Sequence, residues 1–466
     1  MTWLSYSTKA LILLGILPLV LKKFSPSEYV IWNLFATIIS LQTLADFGFR
    51  QTFTRIISFA FGGATSIDVI TIENSNSVTS NAECNEVLLS SIMVCMRFIY
   101  KWLSLIALFI ISIVGTLSLK SPISKAPDQL NIWIAWSLIA VTTFFSFYAK
   151  MYMNFLEGLN QIALVRRVET FTSLGSIISS IFVLVWFPTL LNLVIVNQFW
   201  VLVVSFRDYY LAKNVNSSLY LRISKNSKNL DKSLLKKIWG TAWKSGVGGL
   251  MSAGVTNSIS LIYAQIGNTS DVAAYLLAIR IITQIRDISM APFYSKLPLL
   301  VIFRVKNDLP SLISLVKKGM RLSHIVFFLG FIFVTVFIQP LLKIVHSEVG
   351  FVSMNLWFLL AFAFFTVRFG AMHLQVYLST NHIISHIVES VSGLLFITTS
   401  YLLANVLNIY AIPVGMIVGY GLFYCWYSAF HSYKSIGSSC WTFEKSVSFP
   451  VLLAFFLFFL FYFKIN

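Results

Sequence analysis

Charged residues, and acidic residues above all, are scarce in this sequence. Only 11% of the 466 residues are charged, and 17 Asp and Glu stand against 34 Lys and Arg, which gives a net charge of +17. Soluble globular proteins carry about 25% charged residues. With 57% hydrophobic residues and a mean hydropathy of +0.81, the composition excludes a water-soluble fold. The excess positive charge must lie at membrane surfaces or inside the protein.

Cysteine and the usual catalytic motifs are also scarce. The four cysteines form no CxxC pair and have no histidines at zinc-binding spacing, so neither a metal site nor a disulfide framework is indicated. The sequence has no GxxxxGK[ST] loop and no DxD pair, which argues against nucleotide hydrolysis and against a metal-dependent glycosyltransferase. We therefore expect no cofactor, no catalytic residues and no nucleic-acid partner.

Long apolar segments dominate the rest of the chain. A run of roughly 20 apolar residues is enough for one membrane-spanning helix. The sequence predicts thirteen such segments, at residues 4–21, 28–49, 98–119, 131–155, 169–187, 190–210, 239–264, 271–300, 322–345, 351–377, 384–404, 408–430 and 447–463. We expect an all-α polytopic membrane protein with twelve core spans and an extra C-terminal helix.

The distribution of basic residues predicts the orientation in the membrane, since Lys and Arg accumulate on the cytoplasmic side. With a cytoplasmic N-terminus, only six of the 34 basic residues fall in outer separators or at the C-terminal tip, namely Lys22, Lys23, Lys120, Lys125, Lys343 and Lys464. The opposite orientation would invert that ratio. The sequence therefore predicts a multi-pass protein whose N-terminus is cytoplasmic.

The two halves of the chain resemble each other. Residues 27–40 align without a gap with residues 270–283, so that hydroxyl, acidic and aromatic positions coincide. Each copy begins the second span of a six-span half on the same side of the membrane, which predicts two parallel six-helix lobes around a central cavity. The predicted regions are an N-terminal lobe at 1–212, a basic cytoplasmic linker at 213–237, a C-terminal lobe at 238–432 and the extra helix at 433–466.

The eighth predicted span carries a charge near its middle. Arg280 lies roughly 14 Å below the outer end of that span, at a rise of 1.5 Å per residue. A charge at this depth is costly and normally faces protein or water. Arg280, Thr283, Gln284 and Asp287 share one helical face, and we expect this polar stripe to line the cavity.

Further basic and polar residues are candidates for the same cavity. The seventh predicted span carries Lys244, Ser252 and Thr256 at helical spacing, for which ordinary helix packing is the alternative. Basic residues of the first half lie near predicted cytoplasmic span ends, namely Lys9, Arg50, Arg55 and Arg97. Each alone can extend to the interface, and as a group they can form a cationic funnel.

The spans contain few titratable groups besides these. Asp46, Asp287 and Glu389 are candidates for coupling to an ion gradient, although pairing with a nearby arginine is the favoured reading of Asp46 and Asp287. Glu389 follows His386 by about one helical turn, which suits a proton relay. His324 and His373 lie near the ends of predicted spans, and we expect them at the membrane interface.

Several short motifs resemble the polysaccharide-transporter family. Residues 24–29 (FSPSEY) and 44–48 (LADFG), followed by Arg50 and Arg55, are similar to the opening of O-antigen and repeat-unit flippases of the multidrug/oligosaccharidyl-lipid/polysaccharide (MOP) exporter superfamily. Residues 271–275 and 292–304 resemble the second-half counterpart in that family. The sequence departs from the pattern at Val30, where a glycine is common, and in having thirteen spans rather than twelve or fourteen.

The resemblance implies a flippase of polysaccharide biosynthesis. Such a protein moves undecaprenyl-pyrophosphate-linked O-antigen or other repeat units from the cytoplasmic to the periplasmic leaflet of a bacterial inner membrane, by alternating access and without covalent chemistry. Arg280 is the first candidate for contact with the diphosphate or an acidic sugar, joined by Lys244, Arg286, Arg50 and Arg55.

The expected partners follow from that function. They are the lipid-linked oligosaccharide, membrane lipids, a coupling ion (H⁺ or Na⁺), a polysaccharide polymerase and a chain-length regulator. A multidrug/cation antiporter of the same superfamily and a membrane polysaccharide polymerase remain as alternatives.

Overall fold

The computed structural model describes residues 15–44, 46, 48–63, 84–226, 230–249, 261, 263–265, 267–305, 308–380, 382 and 384–465. The regular secondary structure of these residues is entirely helical. They divide into two compact units, a first unit within Gly15–Asn257 and a second unit within Ser258–Asn466.

The first unit contains the following helices, in chain order. They are α1 (Leu17–Lys23), α2 (Pro26–Leu44), α3 (Phe49–Phe61), α4 (Glu86–Ile110), α5 (Thr116–Ser124), α6 (Gln129–Gly158), α7 (Ile162–Trp186), α8 (Leu190–Asn214), α9 (Ser217–Asn226) and α10 (Lys232–Gly249). A π-helical turn at Ile111–Gly115 joins α4 to α5.

The second unit contains the remaining helices. They are α11 (Thr269–Tyr294), α12 (Leu297–Val305), α13 (Leu309–Val345), α14 (Met354–Leu378), α15 (Ser385–Leu407), α16 (Ala411–Met416), α17 (Trp426–Ile436), α18 (Cys440–Glu444) and α19 (Phe449–Ile465). A π-helical stretch at Ile417–Cys425 joins α16 to α17.

Polar side chains fix the starts of several of these helices. At the start of α2, Glu28 Oε2 accepts hydrogen bonds from the backbone N–H and the hydroxyl of Ser25, at 3.0 Å and 2.9 Å. The Glu28 backbone N–H donates in return to Ser25 Oγ at 3.4 Å, and the reciprocal bonds satisfy amide groups that the first helical turn leaves without partners. α2 begins at Pro26 and α11 at Thr269, which is the same offset of 243 residues that relates the two similar sequence segments.

Seven helical stretches of the described residues are long and apolar enough to cross a membrane. The last of them, Ser385–Ile436, holds two predicted spans, because Asn408 has a positive φ of 48° and ends α15. α2, α11 and α19 coincide with three more predicted spans. Most of the predicted first span and nearly half of the predicted seventh span lie outside the described residues. The chain is an all-α polytopic membrane protein, so the predicted class is confirmed.

Two of the long helices begin well before the apolar segments that predicted them. α13 starts at Leu309 although its apolar segment starts at 322, and α4 starts at Glu86 rather than 98. The extra turns of α13 carry Lys317, Lys318 and Arg321, which a search for apolar residues does not count. Asp308 caps α13, because its side chain accepts a hydrogen bond from the Ser311 N–H.

The core of the first unit includes the basic linker segment. Phe53 of α3, Tyr100 of α4 and Phe147 of α6 are fully buried together with Ile223 of α9 and Ile238 of α10. The apolar faces of α9 and α10 thus pack on the helices of the first unit. Their lysines lie mostly on the exposed side, as expected for amphipathic helices at the end of a bundle.

The core of the second unit includes the segment that leads to α19. Phe293 of α11, Leu312 of α13 and Met372 of α14 surround Phe443 and Val447, and all five side chains are buried. α19 then packs on α13 and α14 through aromatic contacts such as Phe358–Phe459, at 5.1 Å between ring centroids. The helix at the thirteenth predicted span, α19, is therefore an integral part of the second unit.

Candidate functional site

A network of charged side chains lies at one end of the first unit. Arg50 of α3 donates two hydrogen bonds to Glu157 of α6, from Nε to Oε2 at 3.2 Å and from Nη2 to Oε1 at 2.7 Å. Arg166 of α7 also contacts Glu157, at 3.4 Å, and pairs with Glu169 at 2.7 Å. The Glu157 side chain is nearly buried, whereas both arginine side chains are 42% exposed. Two acidic groups thus balance the two arginines.

Asp46, which precedes α3, takes part in a second polar network. Its Oδ1 accepts a hydrogen bond from the Tyr100 hydroxyl at 2.7 Å, and its Oδ2 accepts one from the Arg50 backbone N–H at 3.1 Å. Asn154 of α6 donates to the same Tyr100 oxygen at 2.6 Å. The carboxylate is therefore held by a phenol and a backbone amide.

The other candidates of the first half do not belong to these two networks as described. Arg55 is exposed on α3, and Arg97 is partly exposed on α4. Lys9 lies outside the described residues. An arginine that the sequence analysis did not single out, Arg207 of α8, pairs with its neighbour Asp208 at 2.6 Å and donates to the hydroxyl of Thr172. Its charge is balanced locally, like that of Arg50.

The polar stripe of α11 lies on the less buried face of that helix. Arg280, Thr283, Gln284 and Asp287 are all partly exposed. Neighbouring apolar residues of α11 are buried, namely Leu277, Ala278, Ile281 and Ile282. α11 packs on α13 and α14 of its own unit, and the stripe is less buried than these apolar neighbours.

Arg286, in the second half of α11, has two kinds of partner. It donates two hydrogen bonds to Asp287 Oδ1, from Nε at 3.0 Å and from Nη2 at 2.9 Å. Its guanidinium carbon also lies 5.7 Å from the centre of the Phe364 ring of α14. Both side chains of the ion pair remain partly exposed, at 30% for Arg286 and 25% for Asp287.

Arg368 of α14 is another charged residue that the sequence patterns do not single out. It is 0% exposed, donates one hydrogen bond from Nη2 to the backbone oxygen of Ser323 at 2.7 Å, and stacks on Phe327 at 4.3 Å from the ring centre. Its Nε and Nη1 have no hydrogen-bond acceptor among the described residues. A charge at the centre of a membrane helix costs at least about 2.5–3.5 kcal/mol. The signal was available, since Arg368 is the one charged residue of the predicted span 351–377.

Arg286 and Arg368 are close neighbours across the α11–α14 contact. Arg286 stacks on Phe364, and Phe364 and Arg368 are four residues apart on α14. Residues at this spacing lie side by side on a helix, about 5–6 Å apart at their Cβ atoms. Phe364 therefore contacts Arg286 and lies one helical turn from Arg368, and both arginines belong to membrane-spanning helices of the second unit.

The remaining candidates of the second half lie elsewhere. Glu389 is partly buried in the second turn of α15, whereas His386 is exposed. No hydrogen bond or ion pair involves the Glu389 side chain among the described residues. Lys244 lies on α10, within a stretch whose side chains are not described, and Ser252 and Thr256 lie outside the described residues.

Two buried histidines connect the C-terminal segment to the second unit. His373 Nε2 contacts Glu444 Oε1 at 3.1 Å, and His324 Nε2 contacts Ser448 Oγ at 3.1 Å. Both side chains are buried inside the protein, at 0% exposure for His324 and 1% for His373. The ring of His373 also packs on Phe443 of the C-terminal segment, at 5.8 Å between ring centroids.

Glu444 lies outside the long membrane-spanning helices and is stabilised as an anion. Burial raises the pKa of Glu444, but hydrogen bonds from His373 and Tyr433 together with the charge of His373 outweigh this effect, so the pKa lies below its usual value. Tyr433 donates to the same Oε1 at 2.8 Å.

Comparisons with known proteins identify the fold. No protein-family model matches the chain, and no curated protein matches it by sequence. Among solved structures, an inward-facing multidrug resistance MATE family transporter of the MOP superfamily matches with a TM-score of 0.66 at 11% identity, over 90% of this chain and 93% of that one.

Two further structures match over most of their length. The lipid II flippase MurJ, in an inward closed conformation, matches with a TM-score of 0.60 at 12% identity, over 99% of this chain and 93% of that one. An outward-facing MATE family transporter matches with a TM-score of 0.55 at 12% identity, over 93% of each chain. The chain thus has the fold of MOP-superfamily transporters, which confirms the resemblance at the level of the fold.

Proposed function

We propose that the protein is a flippase for a lipid-linked oligosaccharide that carries a diphosphate. It would move undecaprenyl-pyrophosphate-linked repeat units, such as those of O-antigen, from the cytoplasmic to the periplasmic leaflet of a bacterial inner membrane. The mechanism is alternating access, in which a two-state protein exposes its binding residues first to one side and then to the other. The transporter fold supports this class of mechanism.

The observation that carries the proposal is the positive charge within the second unit. Its membrane-spanning helices hold Arg280, Arg286 and Arg368 well inside their ends, against the acidic residues Asp287 and Glu389. One of these arginines is fully buried and has no acidic partner among the described residues. Because such charges are costly in a membrane, they indicate an anionic cargo rather than a cationic one.

The cargo has chemical needs that these residues meet. Sugars and a diphosphate cannot cross about 30 Å of hydrocarbon unaided. The guanidinium groups of Arg280 and Arg286 bind phosphate oxygens in a bidentate manner. Thr283 and Gln284 on the same face offer hydrogen bonds to sugar hydroxyl groups. The lipid tail remains in the bilayer.

Basic residues of the first half would receive the cargo. Arg50 lies at the start of α3, and Arg55 and Arg97 lie in the middle of α3 and of α4. The charge distribution of the sequence assigns this region to the cytoplasmic side. With Lys9 and Lys244 they form the proposed entry for the diphosphate. Anionic lipid headgroups at the same surface are further expected contacts.

A coupling ion would act through a carboxylate inside the membrane. Asp46 is one candidate, because protonation of its carboxylate would change its hydrogen bonds to Tyr100 and to the start of α3. Glu389 and Asp287 are the others, with H⁺ or Na⁺ as the ion. A polysaccharide polymerase and a chain-length regulator would use the flipped units.

A multidrug/cation antiporter is the second candidate function. Glu389 favours it, since a partly buried carboxylate with no hydrogen bond or ion pair among the described residues suits a cationic drug or its coupling ion. The likeness to MATE transporters is compatible with it at the level of fold. A membrane polymerase is less well supported, because the structures with this fold are transporters and a flippase.

The lipid-linked intermediates of a deletion strain test the proposal. A flippase defect is expected to leave single lipid-linked repeat units on the inner leaflet, and a plasmid copy of the gene should remove them. Single units that accumulate on the outer leaflet would indicate a polymerase instead. An unchanged lipid profile together with new sensitivity to cationic dyes would favour the antiporter.

A further inference from the structure

The protein neighbours of Arg368 satisfy only part of the hydrogen-bonding capacity of its buried guanidinium group. The side chain is fully buried, yet its Nε and Nη1 donors have no acceptor, and its partners are a backbone oxygen and the face of Phe327. An aromatic ring stabilises a cation only in part. A buried charge without a counter-charge destabilises the fold, so its presence calls for a ligand that supplies the missing acceptors.

The immediate surroundings of Arg368 fit an anion. The guanidinium group of Arg286 lies against the ring of Phe364, which is four residues before Arg368 on α14, and Arg286 is also paired with Asp287. Ser323, whose backbone oxygen binds Arg368, also has a buried hydroxyl with no hydrogen-bond partner. The residue that anchors Arg368 and Arg368 itself thus both keep buried polar atoms without a partner among the described residues. Arg286 is 30% exposed and offers the way in for an ion.

We propose that Arg368, Arg286 and Ser323 form a binding site for a phosphate-type oxyanion within the second unit. The site rests on the proposed function and deepens it, because it assigns the deepest contact of a diphosphate to Arg368. Guanidinium groups match phosphate oxygens with pairs of parallel hydrogen bonds, which a lysine does not do. Arg286 holds the anion at the exposed end of the site and Arg368 at the buried end.

Stability measurements separate this role from a structural one. Arg368→Met keeps the length and much of the volume of the side chain and removes the buried charge. We expect the purified full-length variant to melt at a higher temperature than the wild type when no anion is added. If Arg368 instead served to join α13 and α14 through Ser323, the variant would melt at a lower temperature, and that result would overturn the proposal.

Inorganic pyrophosphate is the probe for binding. We expect it to raise the melting temperature of the wild type, and its affinity to fall at least tenfold in Arg368→Met and by a smaller factor in Arg368→Lys. The matched control is Arg321→Gln, which removes an exposed arginine from the same helix as Ser323. Equal responses of the wild type and Arg368→Met, or no response of the wild type, would contradict the site.

A second set of samples identifies the source of the phosphate. Vesicles that contain a polyprenyl pyrophosphate are compared with vesicles of the same lipids without it, and both with free pyrophosphate. A rise in the melting temperature with the lipid-bound form that is lost in Arg368→Met supports a substrate subsite. A rise in the melting temperature with free pyrophosphate alone would keep the anion site and reject the substrate assignment. Flipping that persists in Arg368→Met with unchanged pyrophosphate binding would reject the site and leave the flippase function intact.

Discussion

Arg50 and Glu157 are 107 residues apart in the sequence, yet they form a two-hydrogen-bond ion pair that joins α3 to α6. Arg166 approaches the same carboxylate from α7. One nearly buried acid thus connects three helices at one end of the first unit. A shared carboxylate of this kind holds helix ends in register, and it also leaves two half-exposed guanidinium groups close together.

The first prediction concerns this ion pair. A double-mutant cycle with Arg50→Gln and Glu157→Gln should give a coupling energy of about 1 kcal/mol or more, because the carboxylate is shielded from water. Thermal unfolding of the purified variants measures it. The exposed pair Arg222–Glu86, with an Nε–Oε1 distance of 2.8 Å, is the matched control and should give a smaller value. Equal coupling energies at both pairs would mean that burial of the carboxylate does not strengthen the ion pair.

The second prediction concerns the close approach of α15 to the π-helical stretch. A Cβ on Gly419 would lie 2.6 Å from the Ser392 backbone oxygen and 2.8 Å from the Phe396 backbone nitrogen. Gly419→Ala should therefore push the two segments apart and cost about 1–3 kcal/mol of stability. Gly421→Ala, two residues away, meets nothing closer than 4.0 Å and should be neutral or slightly stabilising. Similar melting temperatures for the two variants would contradict the packing described.

The third prediction concerns the attachment of the C-terminal segment. Glu444→Gln replaces the anion that His373 and Tyr433 bind, and hydrogen bonds to a charged group contribute about 1.5–3 kcal/mol each. Because the pKa of Glu444 is lowered in the folded state, its contribution is present above the ordinary glutamate value of 4.5 and is lost as the pH falls through the lowered pKa. The gap between the melting temperatures of wild type and variant should therefore close in acid. Glu348→Gln, at an exposed acid, should show no gap at any pH.

The fourth prediction concerns topology. Cys440 is exposed between α17 and α19 and should lie on the cytoplasmic side. In a variant whose other three cysteines are serines, a membrane-impermeant maleimide should label Cys440 in inside-out vesicles and not in intact spheroplasts. Lys125→Cys, introduced into the same variant in place of Cys440, should show the reverse pattern. Labelling of Cys440 from the outside would overturn the predicted orientation.

The helical architecture follows largely from the sequence, and particular residues show why the rest does not. Apolar run length predicts the spans because a membrane forces each backbone polar group to bond within its own helix. It misses the first turns of α13, where Lys317 and Arg321 continue the helix outside the apolar layer. It also cannot predict the pairing of Arg50 with Glu157, which depends on how distant helices pack.

The candidate site was predicted in part. The stripe that begins at Arg280 was identified from periodicity, and the partner of Arg286 is simply its neighbour in sequence. The length of an apolar segment does not single out Arg368, because a segment with one charge is still predicted as an ordinary membrane span. Its importance depends on what surrounds it, namely Phe327, Ser323 and Arg286, which lie on two other helices. Burial and missing partners are visible only in three dimensions.

The most direct test of the account is transport by the purified protein. Proteoliposomes receive a fluorescent oligosaccharide linked to polyprenyl pyrophosphate, and quenching from outside reports its movement between leaflets. We expect the wild type to accelerate this movement, Arg280→Ala to abolish it, and Arg280→Lys to retain part of it, because the charge survives and the bidentate geometry does not. The exposed-site variant Arg321→Gln should move the substrate like the wild type. Full activity of Arg280→Ala, or movement of a cationic dye but not of this substrate, would contradict the account.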